Sequence, residues 1–174
     1  MPWPLNEVAV NAVLRSILSS DSVTDGERTF PLRHPDFPAL PAHMDEGEGA
    51  LLQEIVRSVK PRVSLEIGFA YGVSTLYICD ALAEVNPSAR HIVMEPFQST
   101  QWRGIGLRNV RQAGFGSMVD FREDHSEIVL PELVRSGLVA DFALIDGWHT
   151  FDQVMVEFYY LNRLLRAGGG NGLR

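Results

Sequence analysis

The sequence predicts an α/β fold, a doubly wound and mostly parallel sheet with helices on both faces. Three observations carry that prediction. From Leu51 onward helical stretches and short apolar runs follow one another in regular succession, and strands joined through helices lie parallel in a sheet covered on both sides. The first apolar run, Val63 to Ile67, leads into a turn with glycines at 68 and 72 and then into a new helical pattern. Finally, 174 residues with 45% hydrophobic content can bury one sizeable core and little more.

Each element has its own signal. Glu7 to Leu18 carries Val10, Val13, Leu14 and Ile17 at a weak helical period, the pattern of a packing or lid helix. From Asp21 to Asp45 the chain turns to Pro31, Pro35, Pro38 and Pro41 mixed with Phe30, Phe37 and Leu40. Prolines at that density disfavour regular structure, so an extended arm on a surface is expected. Residues 1–45 are therefore read as a helix and a Pro-rich arm, and residues 46–174 as the α/β domain. In the latter, Leu51, Leu52, Ile55, Val56 and Val59 repeat at helical spacing until Pro61 stops the helix ahead of the strand Val63 to Ile67. A helix from Ser74 to Val85, a strand from His91 to Glu95 and a helix around Gly106 to Ala113 follow. After these come a strand from Met118 to Arg122, a helix from Ser126 to Arg135, a strand from Asp141 to Asp146 and a helix from Thr150 to Arg166.

Composition excludes several classes. A formal net charge of -7 argues against nucleic acid as a partner, because proteins that track a phosphate backbone concentrate Lys and Arg. The single cysteine, Cys79, sits in an apolar helical pattern and reads as a core thiol. The start, MPWPLNEVAV, lacks the basic and long apolar regions of a secretory signal, and no stretch approaches a membrane span. A soluble, cytoplasmic protein with no membrane partner is the expectation. His34, His43 and His91 are isolated and lack metal-ligand spacing.

In open parallel sheets ligands bind outside the carboxyl ends of the strands. The first strand ends in Glu66-Ile67-Gly68-Phe69-Ala70-Tyr71-Gly72. Gly68 lets the backbone turn and Gly72 lets a helix start approach a ligand closely. The spacing departs from the dinucleotide fingerprint G-x-G-x-x-G, and an acid at this position suits the cationic amino-acid end of S-adenosylmethionine better than a pyrophosphate. The second strand ends at Glu95, a carboxylate able to accept from ribose hydroxyls. The third ends at Glu123-Asp124-His125, where Asp124 can accept from an adenine amino group or cap the helix at Ser126. At the fourth end, Asp146-Gly147-Trp148-His149, the acid faces the acceptor side or caps the helix at Thr150. His149 is a candidate base with an equal reading as a helix-turn histidine.

The Glu66 to Gly72 turn, Glu95 in HIVMEPFQ and the run DFALIDGWHTFD resemble class I S-adenosylmethionine-dependent methyltransferases, in particular the bacterial small-molecule group with an I-D-G-x-H run. The resemblance covers roughly residues 49–169. It implies a Rossmann-like methyltransferase fold with S-adenosylmethionine as cofactor and methyl transfer to an oxygen of a small-molecule acceptor. It also implies that Glu66, Gly68, Tyr71, Gly72 and Ser74 hold the methionine end, Glu95 the ribose, and Asp124 with His125 the adenine. Asp146 and His149 then serve catalysis, and in metal-assisted relatives the Asp146 position also binds a divalent metal. The alternative is a non-catalytic cofactor-binding or dimerisation module derived from such an enzyme.

After LLRAGG, where the resemblance leads one to expect a fifth apolar strand, the sequence reads Gly170-Asn171-Gly172-Leu173-Arg174. The C-terminal strands are thus expected to be missing and the fourth strand to be an open edge. Such an edge belongs to a truncated or frame-altered chain, or to one that forms a homodimer over it.

Overall fold

The computed structural model of the chain describes residues 11–147 and 150–173. Helix α1 (Ala12–Ser20) starts at Asn11, whose side chain accepts from the Val13 N–H. Two short strands, β1 (Ser22–Thr24) and β2 (Thr29–Pro31), then pair antiparallel. The Pro-rich arm therefore begins with a hairpin, contrary to the expectation of no regular structure there. Its prolines fall at the end of β2 and beyond it, where they remove no ladder hydrogen bond.

Helix α2 (Glu46–Val59) is fixed at its start by a capping box between Asp45 and Glu48 and ends at Lys60 in the left-handed conformation, just ahead of Pro61. The domain then runs β3 (Val63–Ile67), α3 (Val73–Val85), β4 (Arg90–Met94), α4 (Ile105–Gln112), β5 (Val119–Arg122), α5 (Ser126–Arg135), β6 (Ala140–Ile145), α6 (Phe151–Leu164) and β7 (Leu165–Leu173). The strands pair in parallel in the order β5-β4-β3-β6-β7. Alternate residues of β4 and β6 feed the two faces. Val93, Phe142 and Leu144 pack with α1, α2 and α3, whereas Ile92, Met94, Ala143 and Ile145 pack with α5 and α6. Cys79 is buried in the first of these layers, and burial holds its thiol well above the usual range.

The expected open edge does not exist. β7 pairs in parallel with β6, with Phe142 opposite Gly170 and Ile145 opposite Leu173, so a fifth strand is present and the fourth is interior. The glycine-rich run gives no apolar pattern to read. Its backbone nonetheless supplies the N–H and C=O groups that the β6 edge requires. The premise for a homodimer over that edge falls with it. Among the described residues no helix is long and apolar enough to cross a membrane.

Candidate active site

The ends of β3, β4 and β6 are drawn together by backbone. Gly68 N–H donates to Met94 O at 2.9 Å, and Asp146 N–H donates to Ile67 O at 2.8 Å. Gly68 has φ +91°, and a Cβ there would lie 2.2 Å from the Asp146 carbonyl oxygen. Only glycine lets these strand ends approach so closely. The following loop is braced by Gln98, which is fully buried. Its Nε2 donates to Ala70 O at 2.9 Å, and its Oε1 accepts from Gly106 N–H at 3.0 Å.

Glu95 leaves β4 directly beneath this loop. One carboxylate oxygen accepts from Phe69 N–H at 3.3 Å and the other from Phe97 N–H at 3.0 Å. Ala70 N–H also donates to the first of these oxygens at 3.5 Å, so the backbone fixes the carboxylate plane while the oxygen bonded to Phe97 N–H keeps capacity for a second donor. Glu95 lines a cavity of about 380 Å³ together with Gly68, Ser74, His125, Ser126 and Asp146. Glu157 and Gln153 from α6 reach the same space, Ser126 Oγ donating to Glu157 Oε1 at 2.7 Å. The remaining wall comes from Gln101 and Trp102 and from the N-terminal arm through His34, Ala42, His43 and Met44.

Behind this wall lies a closed polar network on the α3 side of β3. Glu66 is fully buried. Its carboxylate accepts from Ser74 Oγ, from Thr75 Oγ1 at 2.6 Å and from His91 Nε2 at 2.7 Å. With a carboxylate as partner, Nε2 carries the proton, and Nδ1 accepts from Ser64 Oγ at 2.8 Å. Every group there has a partner, which is the condition under which buried charge is tolerated. The network reaches the cavity through Ser74 and also through its charge. Burial first, and then the neighbouring Glu66 carboxylate, push the Asp146 carboxyl up to about 7.

Five of the sequence-derived candidates thus meet at one cavity: Gly68, Ser74, Glu95, His125 and Asp146. Four do not line it. Glu66, expected at the methionine end, faces α3 because residues 64 and 66 of the strand point away from the Leu65 and Ile67 face. Tyr71 is buried, with its hydroxyl donating to Arg33 O at 3.2 Å and its ring edge-on to Trp102. Gly72 meets the Phe69 ring and the Gly106 carbonyl, so the close approach it permits is an internal one. Asp124 accepts from His125 N–H at 2.8 Å and is not part of the cavity lining, and α5 has no side-chain cap, so its capping reading is not realised. Trp148 and His149 lie outside the described residues.

The arm, readable in the sequence as an acceptor lid or a dimer contact, and Trp102, in the stretch Gln98 to Arg108 readable as an acceptor entrance or a cover for the sheet, both border the cavity, whereas the bracing role of Gln98 was not foreseen. Gln98 and Trp102 fall in a stretch with no periodic signal, and His43 stands in a Pro-rich segment where no local pattern announces a place on a cavity wall. Among the described residues no three His, Cys, Asp or Glu side chains form a metal-ligand group. Of the carboxylates nearest Asp146, Glu95 is held by backbone N–H groups and Glu66 lies behind Ser74.

The sequence pattern of a family described as "Methyltransferase domain" matches residues 65–170, well over half of the chain. The chain belongs to this methyltransferase domain family. Solved methyltransferase structures share its fold. The O-methyltransferase TomG of Streptomyces achromogenes, involved in tomaymycin synthesis and solved with SAM, superposes with a TM-score of 0.75 at 21% identity, over 96% of this chain and 66% of that one. An O-methyltransferase from Bacillus cereus in complex with SAH gives 0.71 at 22% identity, over 95% and 66%. The SAH-bound methyltransferase PaMTH1 of Podospora anserina gives 0.70 at 20%, over 93% and 61%. The methyltransferase chain described here thus spans just under two thirds of the length of these neighbours. No curated protein matches it.

Proposed function

We propose that the chain binds S-adenosylmethionine in the strand-end cavity and transfers its methyl group to an oxygen of a small-molecule acceptor. The observation that carries this reading is the pre-set Glu95 carboxylate beside the Gly68 turn, both opening onto one cavity with Asp146. When bound, S-adenosylmethionine supplies an electrophilic methyl on a positively charged sulfur. Glu95 accepts from the ribose hydroxyls with the capacity its backbone contacts leave unused. Ser74, anchored on Glu66, and the Gly68 backbone shape the methionine end. His125, edge-on to Phe97 at 5.6 Å, borders the adenine end.

Asp146 holds the acceptor-side proton. With its carboxyl pushed up to about 7, it takes a proton from an acceptor hydroxyl at neutral pH and keeps it afterwards, as an efficient general base requires. His149 remains a second base candidate by sequence position. Displacement at a methyl carbon demands in-line alignment, so the rigid cavity contributes by orientation as much as by proton transfer. A cytoplasmic location accompanies this reading.

Calorimetric titration of S-adenosylmethionine, and separately of NAD, into wild type and Glu95→Ala tests it. Saturable binding of the sulfonium compound that weakens about tenfold or more in the variant is expected, with no NAD binding. A folded wild-type protein that binds NAD, or that fails to bind S-adenosylmethionine, would sink the proposal.

A further inference from the structure

His43 is a polar side chain of the cavity wall whose Nδ1 is buried and has no hydrogen-bond partner among the described residues. A buried nitrogen in that condition is costly unless something else satisfies it. The backbone that presents it is fixed rather than loose. Ala42 N–H donates to Leu32 O at 3.3 Å, Arg33 and Pro41 form a bridge across the arm, and Met44 is 2% exposed in the core. The imidazole is therefore held at the cavity by packing on both sides of it in sequence. Beside it Trp102 provides a broad aromatic wall, itself edge-on to His34 at 5.3 Å.

Charge supplies an independent observation. Three carboxyl side chains, Glu95, Asp146 and Glu157, border the cavity, and no Lys or Arg among the described residues does. In a site emptied of water, an anionic ligand beside these groups meets like charge with no Lys or Arg side chain of the described lining to offset it. A neutral or cationic ligand meets no such barrier.

Building on the methyl-transfer reading above, we propose that the arm side of the cavity is the acceptor subsite. It takes a neutral or cationic ring compound bearing a hydroxyl, with His43 Nδ1 as its hydrogen-bonding group, and it excludes carboxylates and phosphate esters. The hydroxyl donates to Nδ1 or accepts from it according to the tautomer. The aromatic wall receives the ring.

Three probes that share a phenol ring and differ only in the charge at the far end decide the matter: tyramine, 4-ethylphenol and 4-hydroxyphenylacetate. Each is titrated into the full chain, with and without SAH, in wild type, His43→Ala and His43→Asn. The first two are expected to bind at least about tenfold more tightly than the anion, and His43→Ala to weaken both by about tenfold. His43→Asn, which keeps a hydrogen-bonding group near the Nδ1 position, recovers part of the loss. The hydroxyl-free analogue 4-ethyltoluene is indifferent to the substitution, which separates ligand contact from a general loss of packing. Equal or tighter binding of the anion overturns the proposal, and so does failure of all three probes or an equal loss for 4-ethyltoluene. SAH binding is measured separately in each protein. If SAH fails to bind, the methyl-donor reading falls while the charge order of the probes still decides this one.

Discussion

Replacing Asp146 by Asn should make the protein more stable and less able to take a proton. In the folded chain the Asp146 carboxyl is pushed from 3.8 up to about 7, by burial first and then by Glu66. Between those two values the native state holds a proton that the unfolded chain has released, so stability falls as pH rises from 3.8 through about 7. The gap between them corresponds to about 4 kcal/mol. Because the carboxyl opens onto the cavity and is partly screened there, about half of that, about 2 kcal/mol, is the expected magnitude. For a chain of this size that is a Tm difference of roughly 4–8 °C. Thermal melts of wild type and Asp146→Asn are compared from pH 4 to pH 9. The curves should lie close together at the acid end, diverge with the variant above, and run parallel beyond pH 8. Parallel curves across the whole range would refute the argument that Asp146 is a destabilised, proton-holding group. A gain in stability accompanied by loss of methyl transfer fits the general tendency of active sites to keep groups that the fold would otherwise discard.

Two further outcomes follow from the same geometry. Gly68→Ala introduces a Cβ 2.2 Å from the Asp146 carbonyl at a φ of +91°. Strain and displacement together should cost about 3 kcal/mol or more in urea unfolding, and an unchanged midpoint would show that the strand ends are not in contact as described. Glu66→Gln removes the charge that helps to raise Asp146. The pH range over which Asp146 lowers stability, read as the difference between Glu66→Gln and the double variant with Asp146→Asn, should therefore move to lower pH. A range that stays in place would mean that burial alone sets it.

The order of helices and strands from α2 to α6 was legible because it rests on local pattern. Apolar spacing, the stop at Pro61 and the glycine turn each act over a few residues, and in the structure α5 and β3 fall on their predicted bounds. The strand-end rule was likewise enough to place Gly68, Ser74, Glu95, His125 and Asp146 around one space. A residue's position at a strand end does not reveal which way its side chain turns, however. Glu66 and Glu95 read alike in the sequence, yet one is sealed against Ser74, Thr75 and His91 and the other opens onto the cavity. That difference depends on what α3 and β4 present to each carboxylate, which are partners distant in sequence.

The C-terminus and the arm mark the limit more sharply. Leu165 to Leu173 has neither the apolar run nor the β-branched residues that announce a strand, and it becomes one because β6 offers a row of unpaired backbone groups beside it. Likewise nothing in Pro41-Ala42-His43-Met44 specifies a cavity wall. The anchoring of Met44 in the core and of Ala42 on Leu32 brings His43 there. The sequence by itself determined the class of fold, the order of its elements and the strand ends where chemistry gathers, since all three follow from periodicities and turn residues acting locally. The tertiary structure alone decided which acids face the cavity, what closes the β6 edge and which histidine completes the wall, because each of these is fixed by contact between segments that only packing brings together.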